Sequence, residues 1–232
     1  MNNALFPRLC QLRDELPKPT PTDAYNFDTK DNAIKLKHFR DIEAELQGLD
    51  SRSWDRLKAD LVPLLTTRGP RRGWQALFDK LNEAKGYNYL VRIGCRDVQF
   101  VPRSSAKGQQ TPDLHGILAA AEALCEVKTI NISEDESAHR RNGTVRSISL
   151  TLPEGFFNKL KSDLETARNQ MAAYYPRTDA KKIAYVVVNY DDLLHEYAES
   201  YLTQIDEFIA TKPVPDLDVI LDTKPAFYSA TP

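Results

Sequence analysis

Apolar residues in the first third of the chain recur at helical spacing. Ile34, Leu36, Phe39, Ile42 and Leu46 form one stripe from about Asp31, and Gly48 ends it. Ser51 or Ser53 is placed to cap a second helix carrying Trp54, Leu57, Leu61, Leu64 and Leu65. Ahead of both, Pro17, Pro19 and Pro21 punctuate residues 1–30, which read as a short helix and an extended lead-in. Thr66 to Gly73 is a breaker with Arg68, Arg71 and Arg72 and no acid, and a third helix is predicted from Trp74 to Lys85, stopping at Gly86.

Beyond Gly86 the period changes. Tyr87 to Ile93 and Val98 to Val101 read as strands about a turn, and Pro112 to Leu118 and Leu124 to Ile130 as two more. Arg103 to Gln110 and Asn131 to Thr144 are polar excursions. A long helix is predicted from Pro153 to about Tyr175, then a compact apolar strand, Ile183 to Val188. A helix from Asp192 to Ile209 follows, and Leu217 to Leu221 is a candidate edge strand. Strands interleaved with helices in this order predict an α/β fold, a mixed central β-sheet flanked by helices. The expected organisation is a helical N-terminal extension over 1–70 and an α/β domain over 71–232.

Composition narrows this picture. In 232 residues, 41% are hydrophobic and 28% charged, which supports a packed core and excludes a wholly disordered chain. A formal net charge of -2 gives no global attraction to nucleic acid, so any such contact must come from local basic patches. Cys10, Cys95 and Cys125 lie far apart without a CxxC or Cys/His cluster, which supports neither a disulfide framework nor structural zinc. The longest apolar runs fall well short of the roughly 20 residues of a membrane span. With no signal-peptide core at the N-terminus, the chain is expected to be cytoplasmic, without a membrane partner.

Candidate chemistry centres on one strand. The chain holds five acid-x-Lys triplets, beginning at Asp28, Glu83, Glu126, Asp179 and Asp222, so the triplet alone carries nothing. Glu126-Val127-Lys128 differs because it sits inside the apolar run ALCEVKTI. Strand alternation puts Glu126 and Lys128 on one face, and charges in a central strand are costly unless paired or metal-bound. Pro112-Asp113 precedes it, and a hairpin would bring Asp113 beside Glu126. Two carboxylates and a lysine make a hard oxygen site suited to Mg²⁺ or Mn²⁺, with Lys128 expected to orient the metal-bound water or stabilise the developing charge in phosphodiester hydrolysis. Pro215-Asp216 with Asp222-Thr223-Lys224 repeats the pattern, but its spacing is too short for two strands and a turn.

Pro112-Asp113 followed by Glu126-Val127-Lys128 resembles the signature of the PD-(D/E)XK nuclease superfamily. Gln170-Met171-Ala172-Ala173-Tyr174 on the following helix looks like the Q-x-x-x-Y motif of its exonuclease-like branch. The resemblance covers roughly residues 73–190. It implies a restriction-endonuclease-like fold, Asp113 and Glu126 as metal ligands, Lys128 as catalytic lysine, and Gln170 and Tyr174 in support, one helical turn apart. The family often carries a glutamate on its first core helix, about eleven residues before a Gly-Tyr pair. Counting back from Gly86-Tyr87 gives Gln75, a departure that weakens metal affinity, with Asp79 and Glu83 one and two turns later.

The reading is a Mg²⁺- or Mn²⁺-dependent nuclease acting on DNA, with a homodimer admissible. The alternative is a weak or inactive nuclease-fold protein that binds nucleic acid or a protein partner. Phosphate contacts are assigned to Lys107, Arg140, Arg141 and Arg146, and to Arg71 and Arg72, although such runs are commonly solvated loops. His115, two residues after Asp113, is expected to be a hydrogen-bonded structural histidine rather than a ligand. Trp54 and Trp74 are expected in the core.

Overall fold

The computed structural model describes residues 4–29, 33–70, 73–102, 110–131, 151–190 and 197–225, with Ile34, Tyr190, Lys224 and Pro225 described by backbone alone. Packing divides the chain into two compact units, Met1–Asn88 (with Phe227–Pro232) and Tyr89–Ala226. The division falls at 88/89, inside a helix, where the sequence reading drew its boundary at 70/71.

The described part of the first unit is helical: α1 (Pro7–Asp14), α2 (Ala33–Gln47), α3 (Ser51–Leu61), a 3-10 turn (Val62–Thr66), α4 (Gln75–Leu81) and the start of α5 (Glu83–Arg92). The buried Glu43 carboxylate accepts from the Arg8 and Leu9 amides, both at 3.0 Å, which satisfies two unpaired donors at the start of α1. Neither Ser51 nor Ser53 caps α3. Asp50 does, accepting from the Ser53 amide at 2.7 Å, because a carboxylate one residue before the first helical position reaches that donor directly. Gly48 does end α2, and a Cβ there would lie 2.3 Å from Oδ1 of Asn88, whose amide nitrogen donates to Glu45 O at 2.8 Å. Trp54 is buried, and Trp74 packs edge-on against Tyr25.

The predicted strand Tyr87 to Ile93 is instead the body of α5. Aromatic and β-branched residues there favour a strand by propensity. Yet Glu83, Ala84, Tyr87 and Leu90 are buried at helical spacing, and that burial overrides propensity and keeps Gly86 inside the helix. The interruption falls at Asn82, between α4 and α5.

The second unit carries a five-stranded mixed sheet in the order β1-β2-β3-β4-β5. β1 (Arg96–Phe100), β2 (Leu114–Leu118) and β3 (Ala121–Ile130) pair antiparallel. β4 (Lys181–Tyr190) and β5 (Asp218–Pro225) continue parallel to β3. The mixed α/β architecture with flanking helices is thus present. α6 (Glu154–Tyr174) lies between β3 and β4 in sequence, and α7 (Ala198–Thr211) between β4 and β5. Residues 191–196, where the last helix was predicted to begin, lie outside the described residues. Leu160, Leu164, Ala167 and Met171 recur every three or four residues along α6. They bury against Leu124 and Ile130 of β3, Ala184, Val186 and Val188 of β4, and Tyr201 and Ile205 of α7. Strand alternation therefore directs Glu126 and Lys128, between Leu124 and Ile130, toward the face that α6 covers. No described helix is long and apolar enough to cross a membrane.

Candidate metal and phosphodiester site

Register brings the two carboxylates together. β2 and β3 pair Leu114 with Cys125, so the next step of the ladder sets Asp113 beside Glu126. Thr111 precedes a proline, which biases it to extended backbone and carries the chain straight into β2. Val101 N donates to Asp113 O at 2.9 Å, extending the β1–β2 pairing to this point.

Asp113, Glu126, Lys128 and Gln170 each have identified partners. The Asp113 amide donates to Glu126 Oε2 at 3.2 Å, and the Val127 amide donates to Asp113 Oδ2 at 2.8 Å, so each acid holds the other's strand. Lys128 Nζ donates to Glu126 Oε1 at 2.7 Å, their side chains being 21% and 5% exposed. Gln170, on the face of α6 next to Met171, donates through Nε2 to Glu126 Oε2 at 3.0 Å and to the carbonyl of Thr111. Asp113, Glu126, Lys128 and Gln170 thus form one hydrogen-bonded cluster. Tyr174, one turn beyond Gln170, is 38% exposed.

Glu126 is the frustrated member. Burial, and after it the charge of Asp113, push its carboxyl up to about 7, against the opposing pull of Lys128. A proton partly relieves the crowding of two carboxylates, and a divalent cation would relieve it more fully. Among the described residues no group of three or more His, Cys, Asp or Glu side chains is arranged to hold a metal. Among the described residues the cluster offers two carboxylates, Asp113 and Glu126.

His115 hydrogen-bonds Glu122 through Nε2, and its Nδ1 lies 3.4 Å from the Gln99 amide, so its ring is held toward the β2–β3 turn and not toward Asp113. Gln75 belongs to the first unit, where its amide donates to Asp79 at 3.3 Å. Glu83 in that unit pairs with Lys80 at 2.8 Å. Lys107, Arg140, Arg141, Arg146, Arg71 and Arg72 lie outside the described residues. Cys125 sits on the opposite face of β3, fully buried, its thiol pushed well up by burial. Sequence reasoning missed the Val127 amide, the Thr111 carbonyl and Glu122. The first two are backbone groups without a side-chain signal, while Glu122 could have been found as the same-face diagonal neighbour of His115 across the hairpin.

No family model, curated protein or solved structure matches the chain.

Proposed function

We propose that the second unit is a metal-dependent nuclease of the PD-(D/E)XK type that hydrolyses phosphodiester bonds in DNA. The observation that carries this reading is the single cluster of Asp113, Glu126 and Lys128, completed by Gln170 from the helix that follows. Asp113 and Glu126 would hold Mg²⁺ or Mn²⁺, which would polarise a phosphoryl oxygen and acidify a bound water. Lys128, already paired with Glu126, would orient the attacking water and offset the negative charge that develops on the phosphoryl group. Gln170 fixes the Glu126 carboxylate and the Thr111 carbonyl together, which holds the acids at one separation.

A second reading is that the fold binds nucleic acid or a protein partner without cutting. It is favoured by the acceptors already occupied within the cluster and by Gln75 in place of an acid. Incubation of single-stranded, duplex and plasmid DNA with Mg²⁺ or Mn²⁺, beside Asp113→Asn and Lys128→Ala, separates the two. The nuclease reading expects metal-dependent cutting reduced on the order of 10²-fold or more in each variant. Metal or DNA binding without cleavage by any form supports the second reading, and binding of neither removes the nuclease and leaves of the second reading only a protein partner.

A further inference from the structure

The two oxygens of the Glu126 carboxylate are engaged differently. Oε2 accepts from the Asp113 amide at 3.2 Å and from Gln170 Nε2 at 3.0 Å, so uncharged donors fill its two lone pairs. Oε1 accepts from Lys128 Nζ at 2.7 Å. The amide donors are fixed in place. That of Asp113 belongs to the backbone entering β2, and Gln170 is tied as well to the Thr111 carbonyl. Lys128 is held less firmly. Its side chain is 21% exposed against 5% for Glu126, and its ammonium ends a flexible aliphatic stem.

The oxygen that Glu126 can offer a second cation is therefore the one Lys128 occupies, and an ammonium and a divalent ion at one carboxylate oxygen repel each other strongly. We propose that Lys128 is the resident counter-ion of the acidic pair, and that its ammonium leaves Glu126 Oε1 when a divalent cation occupies Asp113 and Glu126, becoming available to an anionic phosphate. This inference rests on the metal-centre reading above and adds an order of events to it. With Lys128 paired and no divalent ion, the cluster carries more carboxylate than ammonium and repels phosphate. Once the charge of the two acids is met by a divalent ion, the released ammonium attracts phosphate instead. The cation comes first and the phosphate second.

Proton–nitrogen NMR of the lysine ammonium groups in the isotope-labelled full chain tests this, with Mg²⁺ binding followed in parallel by calorimetry. The Lys128 signal is assigned by its absence in Lys128→Met. It is expected to be protected from exchange with water before Mg²⁺ is added, and to exchange roughly tenfold faster at saturation, the scale of losing one charge-assisted hydrogen bond. Inorganic phosphate is expected to slow that exchange again with Mg²⁺ present and to leave it unaltered without Mg²⁺. Lys128→Met is expected to bind Mg²⁺ roughly tenfold more tightly than the wild type, the scale of removing a unit charge beside a divalent one. Asp113→Asn is expected to give no binding heat and to keep the Lys128 signal protected throughout. A Lys128 ammonium that exchanges freely from the start, or that stays protected while Mg²⁺ binds, overturns the inference and leaves the metal centre standing. So does Lys128→Met binding Mg²⁺ no more tightly than the wild type, or phosphate without effect on the Mg²⁺-loaded protein. No binding heat in either the wild type or Lys128→Met removes the metal centre and this inference with it.

Discussion

Glu126 is the residue on which stability and chemistry compete. Its carboxyl is raised to about 7 in the fold from an ordinary value of 4.5. Between these values the native state binds more protons than the unfolded chain, so this group's contribution to stability falls as pH rises through that window. The loss reaches up to about 3 kcal/mol above it. Glu126→Gln keeps the shape without the titration, and is expected to flatten the decline in urea midpoint between pH 5 and 8 and to be more stable than wild type at pH 8. Parallel pH profiles for the two proteins would refute this account. A destabilised carboxylate is what the proposed site needs, since a cation then gains from replacing the proton.

At the scale of elements, the β2–β3 hairpin carries strain at its turn, the end opposite the Asp113–Glu126 pair. Its two loop residues, Ala119 and Ala120, have φ 48° and 74°, which alanine adopts only at a penalty because its Cβ crowds the carbonyl. A two-residue turn with both φ values positive calls for Asn-Gly. Ala119→Asn with Ala120→Gly is therefore expected to raise the unfolding free energy by about 1–2 kcal/mol in urea titration without altering the Asp113–Glu126 register. A neutral or destabilising result would mean the turn conformation is held by something other than its own residues. Much of this unit was legible in the chain: the α6 stripe, the apolar β4 run and two charges inside β3 each contradict a solvent-exposed loop. α5 was not, because Tyr87, Leu90 and Val91 satisfy either period and only packing chooses between them. The Asp50 cap was missed because serine is equally common there. Gln170 was readable as a motif, but its partners were not, since they are 44 and 59 residues away in sequence.

For the whole molecule, the proposed site links metal concentration to global stability. A cation bound only by the folded form stabilises it by about 2.7 kcal/mol at a hundredfold excess over Kd. Thermal unfolding of the wild type is expected to shift upward with added Mn²⁺, and the shift is expected to disappear in Asp113→Asn. This readout requires no substrate and no turnover. Absence of any shift at millimolar Mn²⁺ would argue against a metal centre in either functional reading.

The distances along the chain within the cluster have a consequence for how the site is born. Asp113 and Glu126 are separated by thirteen residues across one two-residue turn, so their meeting demands only a small loop-closure entropy. Lys128 arrives with them on the same strand. Gln170 and α6 must close a loop several times longer, against a β4 strand that pairs parallel and non-locally. In folding terms, the acidic centre needs the closure of one hairpin alone, whereas its lock needs a longer closure made by the same helix that seals the hydrophobic core.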